Sequence, residues 1–359
     1  MTGLSEGRAL YDGYGRRITY LRVSVTDKCN LRCVYCMPEE GVEPRRHHDL
    51  LRLEEISRVI RVAARLGIEK VRITGGEPLV RKGLPDLVRM IASITEIRDL
   101  SMTTNGTLLA GFARDLVASG LKRVNISLDT LKPDVYSKMT RCGDIQGVFA
   151  GIAAAETAGL LPIRLNAVVV RGMNDGEIED LARLTLEHAW DVRFIELMPF
   201  WGNGGRFERA HVVPVEEIRE RVRALGALPE ASSALPAPEW SRAAGALSSE
   251  AAPAADDCAG PASYMRLPGA AGRVGFISRE GDGFCVRCNR LRLTAEGKLM
   301  PCLLSDLAVD LRAPLRAGAD DDAIASLIRK AVSLKPAAGA GRAGGEIGAC
   351  RPPLSDIGG

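Results

Sequence analysis

The chain has 359 residues, 46% of them hydrophobic, enough to bury the core of a large α/β unit with an accessory region and too many for an intrinsically disordered chain. Its 48 basic residues nearly balance 45 acidic ones, a net charge of +3, so no global field argues for nucleic acid or an anionic membrane. No run approaches the ~18 apolar residues of a membrane span and the opening "MTGLSEGRALYDGYGRR" lacks a signal-peptide core, which makes the cytoplasm the expected location.

From about residue 18 to 229, short β-branched runs alternate with segments of helical period. The predicted strands are "TYLRVSVT", "KVRIT", "DLSMTT", "RVNISLD", "IRLNAVVV" and "VRFIEL". Between the first two, "LEEISRVIRVAARLG" places Leu53, Ile56, Val59, Ile60 and Ala63 on one helix face, with Gly67 as the stop. Six strand–helix units in series predict a parallel sheet, because parallel strands need crossovers and helices usually supply them. Six are too few for a closed eightfold barrel, so the expected fold is α/β, an open, partial barrel. Arg22 and Ser24, Arg72 and Thr74, Asn125 and Ser127, and Arg164 and Asn166 keep one strand face polar, which predicts a lumen built for a polar ligand. Solvent-exposed sheet edges are the competing reading.

The loop after the first strand, "TDKCNLRCVYCMP", holds Cys29, Cys33 and Cys36 in C-x3-C-x2-C spacing. In a reducing compartment clustered thiols read as ligands or reactive groups rather than disulfides. Three thiolates on one loop can hold three irons of a cubane cluster and leave the fourth open to a small molecule. A zinc site completed from a distance and three unrelated buried thiols are the alternatives. Residues 230–260, rich in Ala, Ser and Pro, read as an insertion or linker. Beyond it, Cys285, Cys288 and Cys302 form a second set, for which a zinc ribbon short of one ligand competes. The expected division is therefore a barrel over 1–229, the linker over 230–260 and a cysteine-bearing C-terminal region over 261–359.

The first loop, followed one unit later by Gly75, Gly76, Glu77 and Pro78 in "RITGGEPLVR", resembles the radical S-adenosylmethionine (SAM) superfamily. Its members are partial (β/α)6 barrels, and "TTNG", "NISLD" and "FIELMP" fall at the remaining strand ends. Taken with "FCVRCNRLRLTAEGKLMPC" and the terminal Gly358-Gly359, the chain is similar to the GTP 3',8-cyclase family of molybdenum-cofactor biosynthesis over roughly residues 15–225 and 260–315. That resemblance implies two [4Fe-4S] clusters, one on Cys29, Cys33 and Cys36, the other, in a C-terminal iron–sulfur extension, on Cys285, Cys288 and Cys302. It implies SAM bound by Tyr35, Gly76, Ser127 and Met198, although a methionine is more often a core residue. It also implies GTP held by Arg22, Arg72, Thr103, Arg164, Arg290, Leu291 and Arg292. SAM would be cleaved to a 5'-deoxyadenosyl radical that takes the hydrogen from C3' of the ribose, and the sugar radical would attack C8 of guanine.

Arg164 stands where the family usually carries lysine, Leu354 where the tail usually carries methionine, and residues 335–350 also depart from the pattern. A homodimer and a downstream cyclic pyranopterin monophosphate synthase are further implications; the electron donor has no signature. The string Gly339, Gly341, Gly344 follows no strand and reads as low-complexity tail, and "RRHHD" at 45–49 as a solvated loop. Cys142, Cys258 and Cys350 have no neighbouring thiols and read as non-ligands. The competing functions are another radical SAM enzyme with an auxiliary cluster and a non-catalytic zinc or iron–sulfur protein, which leaves "GGEP", "SLD" and "FIELM" unexplained.

Overall fold

The structure is a computed structural model that describes residues 9–43, 45–198, 207–230, 262–278 and 285–337. The expected linker beyond Glu230, the glycine string, Leu354, the Gly-Gly terminus, Cys258 and Cys350 lie outside the described residues.

A short antiparallel hairpin, β1 (Leu10–Tyr11) and β2 (Arg17–Ile18), precedes the sheet. The six predicted strands form at the expected places: β3 (Tyr20–Ser24), β4 (Lys70–Thr74), β5 (Asp99–Thr104), β6 (Arg123–Ser127), β7 (Arg164–Val169) and β8 (Asp191–Glu196). Each pairs in parallel with the next. The crossovers are α1 (Leu53–Arg65), α2 (Leu84–Ala92), α3 (Ala113–Ala118), the pair α4 (Pro133–Thr140) and α5 (Ile145–Thr157), and α6 (Ile178–Glu187). In α1 the predicted face is buried: Ile56, Val59 and Ile60 expose no surface, each contributing about 1.5–3 kcal/mol. The Glu55 carboxylate caps its start by accepting from Arg52 N at 2.7 Å, and Gly67, at φ 104°, ends it.

After β8 come α7 (Val215–Ala224), β9 (Leu228–Pro229), β10 (Ser263–Arg266), β11 (Arg273–Ile277), β12 (Arg290–Leu293), β13 (Lys298–Met300), β14 (Val309–Asp310), α8 (Arg312–Arg316) and α9 (Asp321–Ser333). β11 pairs in parallel with β8 at one end of the six-strand core and β12 in parallel with β3 at the other. The spatial order is β14-β13-β12-β3-β4-β5-β6-β7-β8-β11-β10-β9, an open sheet in which consecutive strands β11 and β12 lie on opposite flanks.

Strand parity divides the sheet cleanly. Leu21, Val23, Val71, Ile73, Leu100, Met102, Val124, Ile126, Leu165, Val192, Phe194, Val274, Phe276 and Leu293 all belong to one buried apolar core. Most alternate positions are polar, with Val168, Ile195 and Ile277 as apolar exceptions, and a row of residues in register crosses them: Arg292, Arg22, Arg72, Ser101 and Arg123. A second row runs Thr103, Asn125, Arg164, Asp191, Arg273. The sheet curls around this face: burial lowers the pKa of Arg193 on β8, opposed by Tyr264, and Arg72, four strands away on β4, lowers it further.

Candidate active site

At the carboxyl ends of the strands, three loops are laced together. Gly76 N donates to Thr26 O and Glu77 N to Lys28 O, both at 2.8 Å, so the glycine segment after β4 is built onto the cysteine loop after β3. A Cβ on Gly76 would lie 2.4 Å from Lys28 O and 2.7 Å from Asp27 O; the requirement for glycine is thus set by the neighbouring backbone as well as by any ligand. The buried Glu77 carboxylate accepts from Leu79 N at 3.1 Å and, at 2.7 Å each, from Thr104 Oγ1 and Asn105 N, which ties in the "TTNG" turn after β5. Asn105 Nδ2 in turn reaches Asn30 Oδ1 at 2.8 Å and Cys29 Sγ at 3.9 Å.

Cys36 N donates to Cys33 O at 2.9 Å, closing the C-x2-C segment into a turn. All three thiols are free of disulfides and half-buried. Burial pushes the Cys33 thiol well up, and Cys36, Asp129 and Cys29 push it further, so these groups lie close enough to feel one another's charge. Between them, Tyr35 Oη donates to Asp129 Oδ2 at 2.7 Å, while Asp129 Oδ1 accepts from Val168 N at 2.8 Å. This joins the loop to the ends of β6 and β7. Ser127 and Met198 stand half-buried at the ends of β6 and β8. Cys142, predicted as a non-ligand, is exposed, its Sγ 3.5 Å from Asn30 O.

Down the lumen, Arg72 Nε donates to Ser101 Oγ at 3.2 Å and its guanidinium lies 5.5 Å from the Tyr20 ring. Burial pushes Arg22 well below the usual arginine range, and Arg292, Arg72 and Arg290 add to it. Burial followed by Arg290 brings Arg292 to about 10. The buried Asn125 Oδ1 and the Asn166 Oδ1 have no partner among the described residues, so the chamber offers orphaned polar atoms besides concentrated positive charge. Thr103 opens on the same face, with Oγ1 accepting from Asn125 Nδ2 at 3.5 Å. Arg164 is already engaged: its Nε donates to Asp191 Oδ2 at 3.3 Å, and Arg273 donates to both oxygens of the same carboxylate. The Leu291 side chain belongs to the apolar core on the opposite face, which leaves its backbone as the part available to a lumen ligand.

The second thiol set lies at the other mouth. Cys288 N donates to Cys285 O at 3.3 Å, the same turn as in the first loop, just before β12, whose Arg290 pairs with Tyr20 at the start of β3. The first loop follows the end of β3. Five residues of strand, roughly 15 Å, separate the two levels. A cavity of about 50 Å³ is lined by Cys285, Cys288, Cys302, Arg290, Arg292 and Lys335, among others. Burial alone would raise the Cys288 thiol, but Arg290 and Lys335 bring it down to about 6, which favours the thiolate a metal requires. The first three thiols feel one another's charge and the second three line one cavity, with no fourth cysteine beside either among the described residues; three thiols apiece suit a cubane cluster with one open iron, whose ligands stand wider apart than those of a single ion.

Sequence reasoning missed Arg16 and Lys335. Both are buried, Arg16 with Nε 2.5 Å from Asp12 Oδ2 and Nη1 2.8 Å from Cys285 O, Lys335 with Nζ 3.5 Å from Cys288 Sγ. Neither lies within a motif, and only the tertiary fold brings them to the thiols.

A parallel, open barrel with a three-thiol loop after its first core strand and a glycine segment woven into that loop defines a radical SAM enzyme. Residues 23–185 match the radical SAM superfamily and residues 241–340 match the Molybdenum Cofactor Synthesis C family. The chain is 49% identical over 328 residues to the GTP 3',8-cyclase of Pelotomaculum thermopropionicum, covering 91% of this chain and 94% of that protein. To the GTP 3',8-cyclase of Geobacter sulfurreducens it is 45% identical over 327 residues, covering 91% and 93%. The chain belongs to the GTP 3',8-cyclase family. In fold it is similar to Streptococcus suis SuiB bound to S-adenosylmethionine, at TM-score 0.57 and 15% identity over 88% of this chain and 69% of that one.

Proposed function

We propose that the chain converts GTP to (8S)-3',8-cyclo-7,8-dihydroguanosine 5'-triphosphate in molybdenum-cofactor biosynthesis. The observation that carries this reading is a cation-lined lumen with a three-thiol set at each mouth. When bound, the clusters and SAM supply one-electron radical chemistry at the ribose and guanine.

The chain's own residues have the work of holding and enclosing. In this reading Cys29, Cys33 and Cys36 hold one [4Fe-4S] cluster, and Tyr35, Gly76, Ser127 and Met198 hold SAM beside it. Cys285, Cys288 and Cys302 hold the other cluster. Arg22, Arg72, Arg164, Arg290 and Arg292 meet the triphosphate with forked, permanently charged donors, Thr103 adds a hydroxyl and Leu291 a main-chain contact. Fixing ribose and guanine between the two mouths orients the reacting carbons, and the buried walls keep water from quenching a radical. The barrel ends near residue 229 and the C-terminal region from 261 contributes the second cluster. A cytoplasmic homodimer that hands its product to a cyclic pyranopterin monophosphate synthase completes the reading.

Anaerobic reconstitution followed by iron analysis and incubation with SAM, GTP and a reductant tests it. About eight irons per chain, formation of 5'-deoxyadenosine and consumption of GTP are expected. Stoichiometric zinc without SAM cleavage would overturn the reading, and SAM cleavage indifferent to GTP would reassign the substrate.

A further inference from the structure

Helix α9 is anchored at its start: Asp320 caps it by accepting from Ala323 N at 2.8 Å, and Arg58 on α1 donates to Asp321 Oδ1 at 2.9 Å. Its far end delivers Lys335, with only 3% of its surface exposed. Burying an ammonium without full compensation is costly, so its partners indicate what keeps it there. Nζ donates to Arg290 O and to Pro301 O, both at 2.7 Å, and approaches Cys288 Sγ at 3.5 Å. These three groups come from both cysteine segments: Arg290 follows Cys288 by two residues, and Pro301 precedes Cys302. Arg16 completes the frame, donating to Cys285 O at 2.8 Å and to Pro336 O, next to Lys335, at 2.5 Å.

Two carbonyls would suffice to tether the segments. The third Nζ hydrogen, aimed at a sulfur, is what a merely structural lysine has no need of. We propose that Lys335 is a positioning residue for the second cluster, holding its cysteine segments in register and donating a charged hydrogen bond to the Cys288 sulfur that makes the cluster easier to reduce. A cation beside a ligating thiolate stabilises the added electron, and hydrogen bonds to cluster sulfurs are an established determinant of potential. Arg290 and Arg292 lie on the lumen side of the same cavity. Lys335 therefore supports the cluster from the side of the C-terminal helix.

The inference rests on the assignment of Cys285, Cys288 and Cys302 as ligands, and its test separates the two. Reconstituted holoenzyme, Lys335→Met and Lys335→Arg are titrated reductively and followed by EPR; the second cluster's signal is isolated by subtracting that of a Cys285→Ala/Cys288→Ala/Cys302→Ala variant. Lys335→Met is expected to shift the second midpoint to more negative potential and to speed its loss of iron to a chelator roughly tenfold or more. Lys335→Arg, which keeps the charge, should fall between Met and the parent in both. A Lys335→Met midpoint equal to the parent's overturns the proposal even if iron is lost faster, because a tether alone would do that. If Lys335→Met fails to fold, the parent grown with [ζ-15N]lysine decides: a 15N coupling on the reduced second cluster supports the bond and its absence overturns it. About four irons in the parent, in place of about eight, would overturn the ligand assignment and the proposal with it.

Discussion

Gly76 shows how a motif residue can serve two neighbours at once. The sequence invites reading "GGEP" as a surface for a ligand, yet a Cβ there would press on the Lys28 carbonyl at 2.4 Å before any ligand arrived. Gly76→Ala is accordingly expected to displace the cysteine loop, destabilising the apo chain by about 1–3 kcal/mol and lowering both iron retention at the first site and 5'-deoxyadenosine formation. Iron per chain and SAM cleavage in the folded variant check this; a variant that loads iron like the parent and fails only with SAM would locate the glycine's role in the ligand alone. Arg164 carries a different lesson. Its match to a family cation was legible, but its engagement by Asp191 was not, because the acid lies on the next strand, 27 residues away, and only register joins them. Arg16 and Lys335 escaped for the same reason: a cation is recognised by what surrounds it, and their surroundings come from elements distant in sequence.

At the scale of elements, the period-two alternation in six strands and the helical stripes between them located the core strands to within about two residues, since burial on one face and a polar chamber on the other leave a strong local trace. That the C-terminal strands flank the same sheet was not legible. Pairing partners are not written into a strand's own residues. What joins the strand ends is a set of buried carboxylates, and Asp129 offers a pH test. Burial raises its pKa to about 6 against the hydrogen bonds from Tyr35 and Val168 that lower it. A raised carboxyl favours the folded state below its unfolded value near 3.8 and loses that contribution as pH rises through about 6. Asp129→Asn, which is neutral throughout and can still accept from Val168 N, should show a shallower decline in apo-chain stability between pH 4.5 and 7 in denaturant titrations. An identical slope in variant and parent would remove Asp129 as a contributor.

Over the whole molecule, the chamber gathers like charge contributed by strands far apart in sequence. Arg22 and Arg292, both lowered by burial and by neighbouring guanidinium groups, stand in one row with Arg72 and Arg123. A polyanion relieves that repulsion and binds only the folded state. GTP at a hundred times its dissociation constant should therefore stabilise by about 2.7 kcal/mol, a shift of several degrees in melting temperature, with GMP and then guanosine giving progressively less. Equal shifts for all three would mean that the cations do not face the phosphates.

The placement of β11 and β12 on opposite flanks has a consequence for how the chain comes together. The two strands are neighbours along the chain but are seated on opposite edges of the six-strand core, β12 against the distant β3, a pairing of high contact order. Cys285 and Cys288 sit on the segment between them, Cys302 lies beyond β13, and the frame around them draws on Arg16 near one terminus and Lys335 near the other. The second thiol set is therefore framed from both ends of the chain, whereas the three thiols of the first loop are already close in sequence. If, as proposed, both sets bind iron, the second would fill only once the C-terminal flank has docked, and its occupancy would report that docking.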